Sequence, residues 1–222
     1  MDHTLKAIDE DLAALGRDVA DLGALAVEQT KAAVAAFMAH DVAAAAKVVT
    51  ADERLDEADA DIERRAIRFI ALHQPMADDL RRPIAAMKSA MQLERCGDLA
   101  KNIAKRVSRM NGRPGATQTA AIGELGTLVA VRLEAVVGAW RDGDALAAFD
   151  VWSKDTDVDE RHEAVLREIV ACMTADPASV GVCTHLLFIA KNLERIGDHA
   201  TNIAELVHYQ LTGQDLSHRP KL

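Results

Sequence analysis

The sequence predicts an all-α protein made of two tandem, sequence-related three-helix bundles. Apolar residues recur at spacings of three and four over most of the 222 residues, which is the period of one buried helix face. Half of the residues are apolar but only 3% are aromatic, and abundant small side chains allow helices to pack closely. The second half of the chain also repeats the first in order and spacing.

Prolines and glycines mark the ends of the predicted helices. Residues 111–115 (NGRPG) form the strongest turn signal, and weaker signals lie at residues 142–143, 176–177 and 212–213. No stretch alternates with period two for long enough to predict a strand. Six long helices are therefore expected near residues 4–39, 41–72, 77–111, 117–141, 144–175 and 178–212.

An internal repeat divides the chain into two units. Residues 93–104 (LERCGDLAKNIA) match residues 193–204 (LERIGDHATNIA) at an offset of 100. A weaker match pairs residues 52–57 with residues 155–160 at an offset of 103, and the change of offset requires only a few loop residues. We therefore expect a three-helix unit over residues 1–112, a second over residues 116–213 and a short C-terminal tail over residues 214–222.

Charge and cysteine content narrow the possible functions. The net charge is −9, and a surface of that sign repels phosphate backbones, so no nucleic-acid partner is expected. Three cysteines without a CxxC pair favour a reducing compartment. The chain shows neither a secretory signal pattern nor an apolar run of the ~20 residues that cross a bilayer. We therefore expect a cytoplasmic protein that is not inserted in a membrane.

Each unit carries carboxylates four residues apart on two of its helices. A helical wheel at ~100° per residue places these carboxylates beside the apolar stripe of each helix. If the middle and last helices of a unit pack side by side, four carboxylates would gather in each unit. We call these sets the first acidic cluster (Asp52, Asp56, Glu94, Asp98) and the second acidic cluster (Asp155, Asp159, Glu194, Asp198).

The acidic clusters have two interpretations. Four carboxylates form an all-oxygen site, which suits Mg²⁺, Ca²⁺, Mn²⁺ or iron and differs from the thiolate sites that bind zinc. A cation would also relieve the repulsion between the carboxylates. The alternative is that they are ordinary solvated helix charges. The presence of the same pattern in both units favours a metal site or a polar contact site.

Other polar residues are interpreted as structural. Lys101 belongs to a run of cations toward the end of its helix, where positive charge offsets the helix dipole. His162 and His208 have no matching histidine in the first unit and are interpreted as surface or helix-end residues. The sequence contains no Gly-rich phosphate loop, nucleophile elbow or His-Asp relay. No catalytic residue is therefore predicted.

The doubled LERxGDxxxNI motif resembles the PhoU family, as does Asp79-Leu80-Arg81-Arg82 at the start of the third helix. The resemblance covers nearly the whole chain. It implies two bundles side by side and a homodimer or larger oligomer. It also implies a divalent or trivalent metal ion (iron, zinc, manganese or magnesium) on the two acidic clusters. Supporting contacts are then expected from Arg95, Arg195, Asn102 and Asn202.

The same resemblance implies regulation rather than catalysis. It implies a negative regulator of the phosphate-starvation response that modulates phosphate uptake at the periphery of a membrane complex. Its partners would be the ATPase of the phosphate ABC transporter (PstB) and a sensor histidine kinase (PhoR). One alternative is a metal-dependent oxidase or hydrolase in a helical bundle, which would need imidazole ligands or a general base beside an open coordination position. A purely structural dimerisation module is the other alternative.

Overall fold

The chain folds as an all-α protein, as predicted. The computed structural model describes residues 2–216, with side chains for residues 8–77 and 79–216. No strand occurs among these residues, and none of their helices is long and apolar enough to cross a membrane. The helices are α1 (Asp2–Ala39), α2 (Val42–Ala51), α3 (Glu53–His73), α4 (Asp78–Arg109), α5 (Ala116–Asp142), α6 (Ala145–Ser153), α7 (Thr156–Ala175) and α8 (Val180–Thr212), with a 3₁₀ turn at Pro177–Ser179.

The middle helix of each unit is divided, which the periodicity did not predict. The helix expected over residues 41–72 is α2 followed by α3, and the one expected over residues 144–175 is α6 followed by α7. The first part of each divided helix begins with an aspartate cap. The Asp41 carboxylate accepts a hydrogen bond from a backbone N–H of α2, and the Asp144 carboxylate accepts hydrogen bonds from backbone N–H groups of α6. The breaks themselves fall at Asp52 and at residues 154–155.

The helices form two three-helix bundles that lie side by side, in agreement with the prediction. The middle pair α2 and α3 packs on α1 and α4, and the pair α6 and α7 packs on α5 and α8. Helix α1 also packs on α5, and α4 packs on α8, so a common core runs through both bundles. The expected first unit ends at residue 112, in the linker between α4 and α5, and the expected second unit begins at residue 116, the first residue of α5. Residues 217–222 of the expected tail lie outside the described residues.

Glycines in the repeated motif allow the middle and last helices of each bundle to approach closely. A Cβ atom added at Gly97 would lie 2.5 Å from Leu55 Cδ2 of α3, and one added at Gly197 would lie 3.0 Å from Val158 Cγ1 of α7. Because glycine has no side chain, both positions admit the neighbouring helix. They place the acidic faces of α3 and α4, and of α7 and α8, next to each other.

Candidate functional site: two unequal acidic clusters

The first acidic cluster surrounds a lysine. The Lys101 Nζ atom forms a short ion pair with Asp52 Oδ2 and lies 2.8 Å from Asp98 Oδ1. The residue Asp52 is only 3% exposed, and the side chain of Lys101 is 21% exposed. The structure therefore contradicts the interpretation of Lys101 as a cation that offsets the helix dipole, because its ammonium group forms ion pairs with two carboxylates. It also places Asp52 in the protein interior, whereas the helical wheel placed it on a flank.

Burial and hydrogen bonding act in opposite directions on this ion pair. Burial alone would lower the pKa of Lys101, but hydrogen bonds to Asp52 and Asp98 outweigh burial and raise it. Burial alone would raise the pKa of Asp98, but the hydrogen bond and charge of Lys101 outweigh burial and lower it. The first acidic cluster thus holds a lysine that remains charged at neutral pH.

A glutamine from α1 completes the environment of Asp52. The Gln29 Nε2 atom donates a hydrogen bond to Asp52 Oδ1 at 3.0 Å and also lies 3.3 Å from the carbonyl oxygen of Gly97. Gln29 is a buried polar residue. The carboxylate of Asp52 is therefore held from α1 on one side and from α4 on the other.

The remaining carboxylates of the first cluster repel one another. Burial and the negative charge of Asp98 raise the pKa of Glu94 to about 7, even though Arg95 opposes the shift. The pKa of Asp56 is also raised, first by burial and then by the charge of Asp52. Arg95 lies 3.5 Å from Glu94 and 3.7 Å from Asp98, which is consistent with its predicted supporting role.

We expect Glu94→Gln to make the protein more stable at alkaline pH. The folded protein keeps a proton on Glu94 up to a pKa of about 7, whereas the unfolded chain releases it near the ordinary glutamate pKa of 4.5. Wild-type stability therefore falls as the pH rises from about 4.5 through 7, and glutamine removes this loss. Urea denaturation in the presence of a chelator should show nearly equal stabilities at pH 4, below the value at which the unfolded chain ionises. At pH 8 the variant should gain about 1–2 kcal/mol, an estimate reduced for partial solvent exposure. A gain of the same size at pH 4 would show that removing a carboxylate charge is not the cause.

The second acidic cluster has no lysine at its centre. Thr201 occupies the position that corresponds to Lys101, and its hydroxyl donates a hydrogen bond to Asp155 Oδ1 at 2.7 Å. One carboxylate oxygen from each of the other three acids, Asp159, Glu194 and Asp198, lies within 4.8 Å of the other two. No other group of three potential ligands this close occurs among residues whose side chains are described.

An exposed lysine, Lys191, lies at the rim of the second cluster. Lys191 Nζ lies 2.7 Å from Glu194 Oε1, but the lysine side chain is 56% exposed. Burial, followed by the charges of Glu194, Asp155 and Asp159, raises the pKa of Asp198 to about 6. Burial and the charges of Asp155 and Glu194 also raise the pKa of Asp159. The second cluster therefore concentrates negative charge that Lys191 neutralises only in part, at the rim.

His162 lies beside the second cluster. Its Nε2 atom is buried without a hydrogen-bond partner in the part of the chain that the structure describes. Burial lowers the pKa of His162, and the charges of Glu194 and Asp159 act in the opposite direction. The interpretation of His162 as an ordinary surface or helix-end histidine is therefore wrong. The signal in the sequence was its position three residues after Asp159, on the same helix face.

The helix breaks next to the two clusters are held differently. Arg132 of α5 corresponds to Gln29 of α1 at the repeat offset of 103. Its guanidinium group donates hydrogen bonds to the carbonyl oxygens of Val151 and Lys154 and to Asp157 Oδ2, the first at 3.0 Å and the last at 2.7 Å. The second bundle therefore uses a buried arginine at its helix break, where the first bundle uses a neutral glutamine.

The two asparagines and Arg195 lie outside the clusters. Asn102 is exposed, and Asn202 Nδ2 is 3.3 Å from Gln92 Oε1 of α4, on the contact between the two bundles. The same Gln92 oxygen lies 2.6 Å from His199 Nδ1. Arg195 is exposed and forms no ion pair among the residues described. Within the predicted supporting set, only Arg95 contacts cluster carboxylates.

Both units of the chain match one family model. The PhoU domain model matches residues 19–107 and again residues 122–207. These two matches cover α1 to α4 and α5 to α8 and leave out the linker between the bundles. The doubled match agrees with the internal repeat found in the sequence.

Full-length relatives and solved structures give the same family. The chain is 49% identical to the phosphate-specific transport system accessory protein PhoU homolog of Caulobacter vibrioides, over 100% of this chain and 97% of that protein. It is 41% identical to the homolog of Rhizobium meliloti, over 99% of this chain and 93% of that protein. These names describe accessory proteins and not enzymes.

Two crystal structures share the fold over nearly the whole chain. PhoU from Pseudomonas aeruginosa superposes with a TM-score of 0.86 at 31% identity, covering 93% of this chain and 99% of that one. The phosphate transport system regulatory protein PhoU from Streptococcus pneumoniae gives 0.87 at 29% identity, covering 95% and 100%. Together, the doubled domain match, the full-length identity and the shared architecture show that the chain belongs to the PhoU family.

Proposed function

We propose that this chain is a regulator of phosphate transport that acts by docking to other proteins. The observation that carries the proposal is the full-length match to proteins named as accessory to the phosphate-specific transport system. One structural relative is also named a regulatory protein. In this proposal the chain represses the phosphate-starvation response when phosphate is abundant. It does so as a homodimer at the cytoplasmic side of the transporter, in contact with PstB and PhoR.

The metal part of the proposal concerns the second acidic cluster. Asp159, Glu194 and Asp198 offer oxygen ligands within 4.8 Å of one another. The pKa of Asp198 is raised first by burial and then by repulsion from neighbouring carboxylates, and a cation would relieve that repulsion. Oxygen donors suit iron, manganese or magnesium, and the imidazole of His162 on α7, three residues after Asp159, is a neighbouring nitrogen of the type that zinc also accepts. A bound cation would supply positive charge that holds the acidic faces of α7 and α8 together.

Catalysis is not part of the proposal. A helical-bundle oxidase or hydrolase would need a protected site, yet Asp159 and Asp198 are exposed at the protein surface. The relatives are named as accessory or regulatory proteins. In this proposal the clusters control how the chain docks to its partner proteins, and they do not catalyse a reaction.

A phosphate-starvation reporter such as secreted alkaline phosphatase tests the proposal. In a strain that lacks this protein, grown with abundant phosphate, we expect the wild-type chain to silence the reporter. A folded variant with Glu94, Asp98, Glu194 and Asp198 changed to alanine should leave the reporter active. The matched control changes Glu57 and Glu160, which are exposed and lie at equivalent positions on α3 and α7, to alanine.

Three outcomes of this reporter assay are informative. Silencing by the wild-type chain and by the control, but not by the quadruple variant, supports both regulation and a role of the clusters. Silencing by all three chains removes the clusters from the mechanism and leaves the regulatory proposal standing. If reporter activity does not change when the wild-type chain is supplied, the regulatory proposal itself is contradicted.

A further inference from the structure

The two repeated motifs differ at one position that changes formal charge. Residues 93–104 and 193–204 differ at Cys96/Ile196, Leu99/His199 and Lys101/Thr201. With histidine neutral, only the last pair alters the charge. Its two members lie at equivalent places on α4 and α8, and both side chains reach the aspartate at the start of the neighbouring helix, Asp52 or Asp155.

Lys101 already fills the place of a cation in the first acidic cluster. Its Nζ atom contacts one carboxylate from each of two helices, Asp52 at the start of α3 and Asp98 on α4. The Asp52 side chain is 4% exposed and the Lys101 side chain 21%, so this ion pair is largely shielded from water. A lysine that bridges two helices in this way neutralises the cluster and ties α3 to α4.

A metal ion cannot enter the first cluster without removing this lysine. The ion would have to take the same two carboxylates, and the displaced ammonium group would remain close to it on α4. The metal ion and the ammonium group would be close together in a largely buried place, where like charges repel each other strongly. Moving the lysine into water would also break the hydrogen bonds that it makes to Asp52 and Asp98. The residues of the first cluster therefore do not fit a metal ion.

The second cluster lacks such an obstacle. The Thr201 hydroxyl contacts Asp155 without carrying charge. Among the residues whose side chains are described, the lysine in contact with the cluster is Lys191, which is more than half exposed and pairs with Glu194 at the rim. The Glu194 side chain is only 13% exposed, but the ammonium group of Lys191 lies at the solvent edge, so another cation can replace it without burying the displaced lysine. A cation that approaches Asp159, Glu194 and Asp198 from solvent would meet carboxylates that no buried group neutralises.

We propose that Lys101 is an internal cation that replaces a metal ion in the first acidic cluster, so that the two bundles of this chain are not equivalent and a divalent cation binds the second cluster alone. The part about the second cluster rests on the metal part of the proposed function. The part about Lys101 stands on the first bundle by itself. The difference between Lys101 in the first repeat and Thr201 in the second therefore determines which cluster binds metal.

Exchanging the two residues tests this proposal. The purified full-length chain, stripped with a chelator, is titrated with Mn²⁺, and the bound ion is counted by calorimetry and by electron paramagnetic resonance. We expect about one equivalent of sites per chain to be lost on Thr201→Lys. Lys101→Thr should gain Mn²⁺ sites in the first cluster, so that its capacity is about twice that of the wild type. Lys101→Met, which keeps the chain length without the charge, is the second variant if threonine impairs folding.

The Lys101 inference and the metal proposal fail in different ways. If neither Lys101→Thr nor Lys101→Met gains Mn²⁺ in a folded chain, Lys101 is not what excludes metal, and the inference is overturned. The inference is also overturned if Asp98→Asn lowers wild-type Mn²⁺ binding as much as Asp198→Asn does. If the wild type binds no Mn²⁺ but Lys101→Thr does, the Lys101 inference stands and the metal proposal for the second cluster fails.

Discussion

Replacing Asp52 with alanine is expected to lower the free energy of unfolding by about 3 kcal/mol, measured by urea denaturation with a chelator present. The carboxylate is 3% exposed and receives a hydrogen bond from Gln29 and an ion pair from Lys101. Removing it leaves a largely buried ammonium group with one partner fewer. The buried Gln29 amide also loses its shortest hydrogen bond and keeps only longer contacts such as the one to the Gly97 carbonyl oxygen at 3.3 Å. Breaking a buried pair by removing one member costs about 3–5 kcal/mol, and we take the lower end because Lys101 can still reach Asp98.

The equivalent position in the second bundle is the matched control for this substitution. Asp155 is only partly buried and accepts a single described hydrogen bond, from the Thr201 hydroxyl. Asp155→Ala should therefore cost only about 1 kcal/mol, the typical contribution of one hydrogen bond. If Asp52→Ala and Asp155→Ala cost the same, the ion pair with Lys101 does not stabilise the first bundle. In a double-mutant cycle, Lys101→Met should cost much less in the Asp52→Ala background than in the wild type.

The architecture could be predicted from the sequence because long amphipathic helices leave a strong periodic signal. The all-α class and the pair of bundles follow from this period and from the doubled motif, which records a repeated packing arrangement. The division of the middle helices could not be found in the same way. Asp52 keeps helical dihedral angles (φ −62°, ψ −33°) at the break, so the apolar period continues across it almost unchanged.

The acidic clusters could be predicted in part. Carboxylates four residues apart share a helix face, and helices that pack side by side bring such faces together, as the proximity of Asp159 to Glu194 and Asp198 shows. The use of Lys101 could not be predicted, because its position in the sequence fits a helix-end cation equally well. Only the packing of α3 on α4 shows that its flexible side chain reaches Asp52. The metal ligands assigned from the family resemblance remain a prediction.

Replacing Arg132 with alanine should destabilise the second bundle by about 3 kcal/mol. The residue is 8% exposed, and its guanidinium group donates to two carbonyl oxygens at the end of α6 and to Asp157. Both carbonyl oxygens also accept a backbone N–H, at 3.4 Å from Lys154 and at 3.2 Å from Asp157. The cost therefore comes mainly from losing the charge-assisted hydrogen bonds of the buried guanidinium group, and a hydrogen bond to a charged group contributes about 1.5–3 kcal/mol. Amide hydrogen exchange should locate the loss at the junction of α6 and α7, with much smaller changes in α2 and α3.

A glutamine at this position separates loss of the charge and of some hydrogen bonds from loss of all the hydrogen bonds. Arg132→Gln copies the residue that the first bundle uses, and Gln29 makes its hydrogen bonds with a single amide group. The glutamine can satisfy one carbonyl oxygen but not Asp157 as well, so we expect roughly half the cost of Arg132→Ala. Equal losses for the two variants would mean that charge pairing with Asp157 dominates. No loss for either would mean that water replaces the guanidinium group at the break, and that the two bundles tolerate different residues there without energetic consequence.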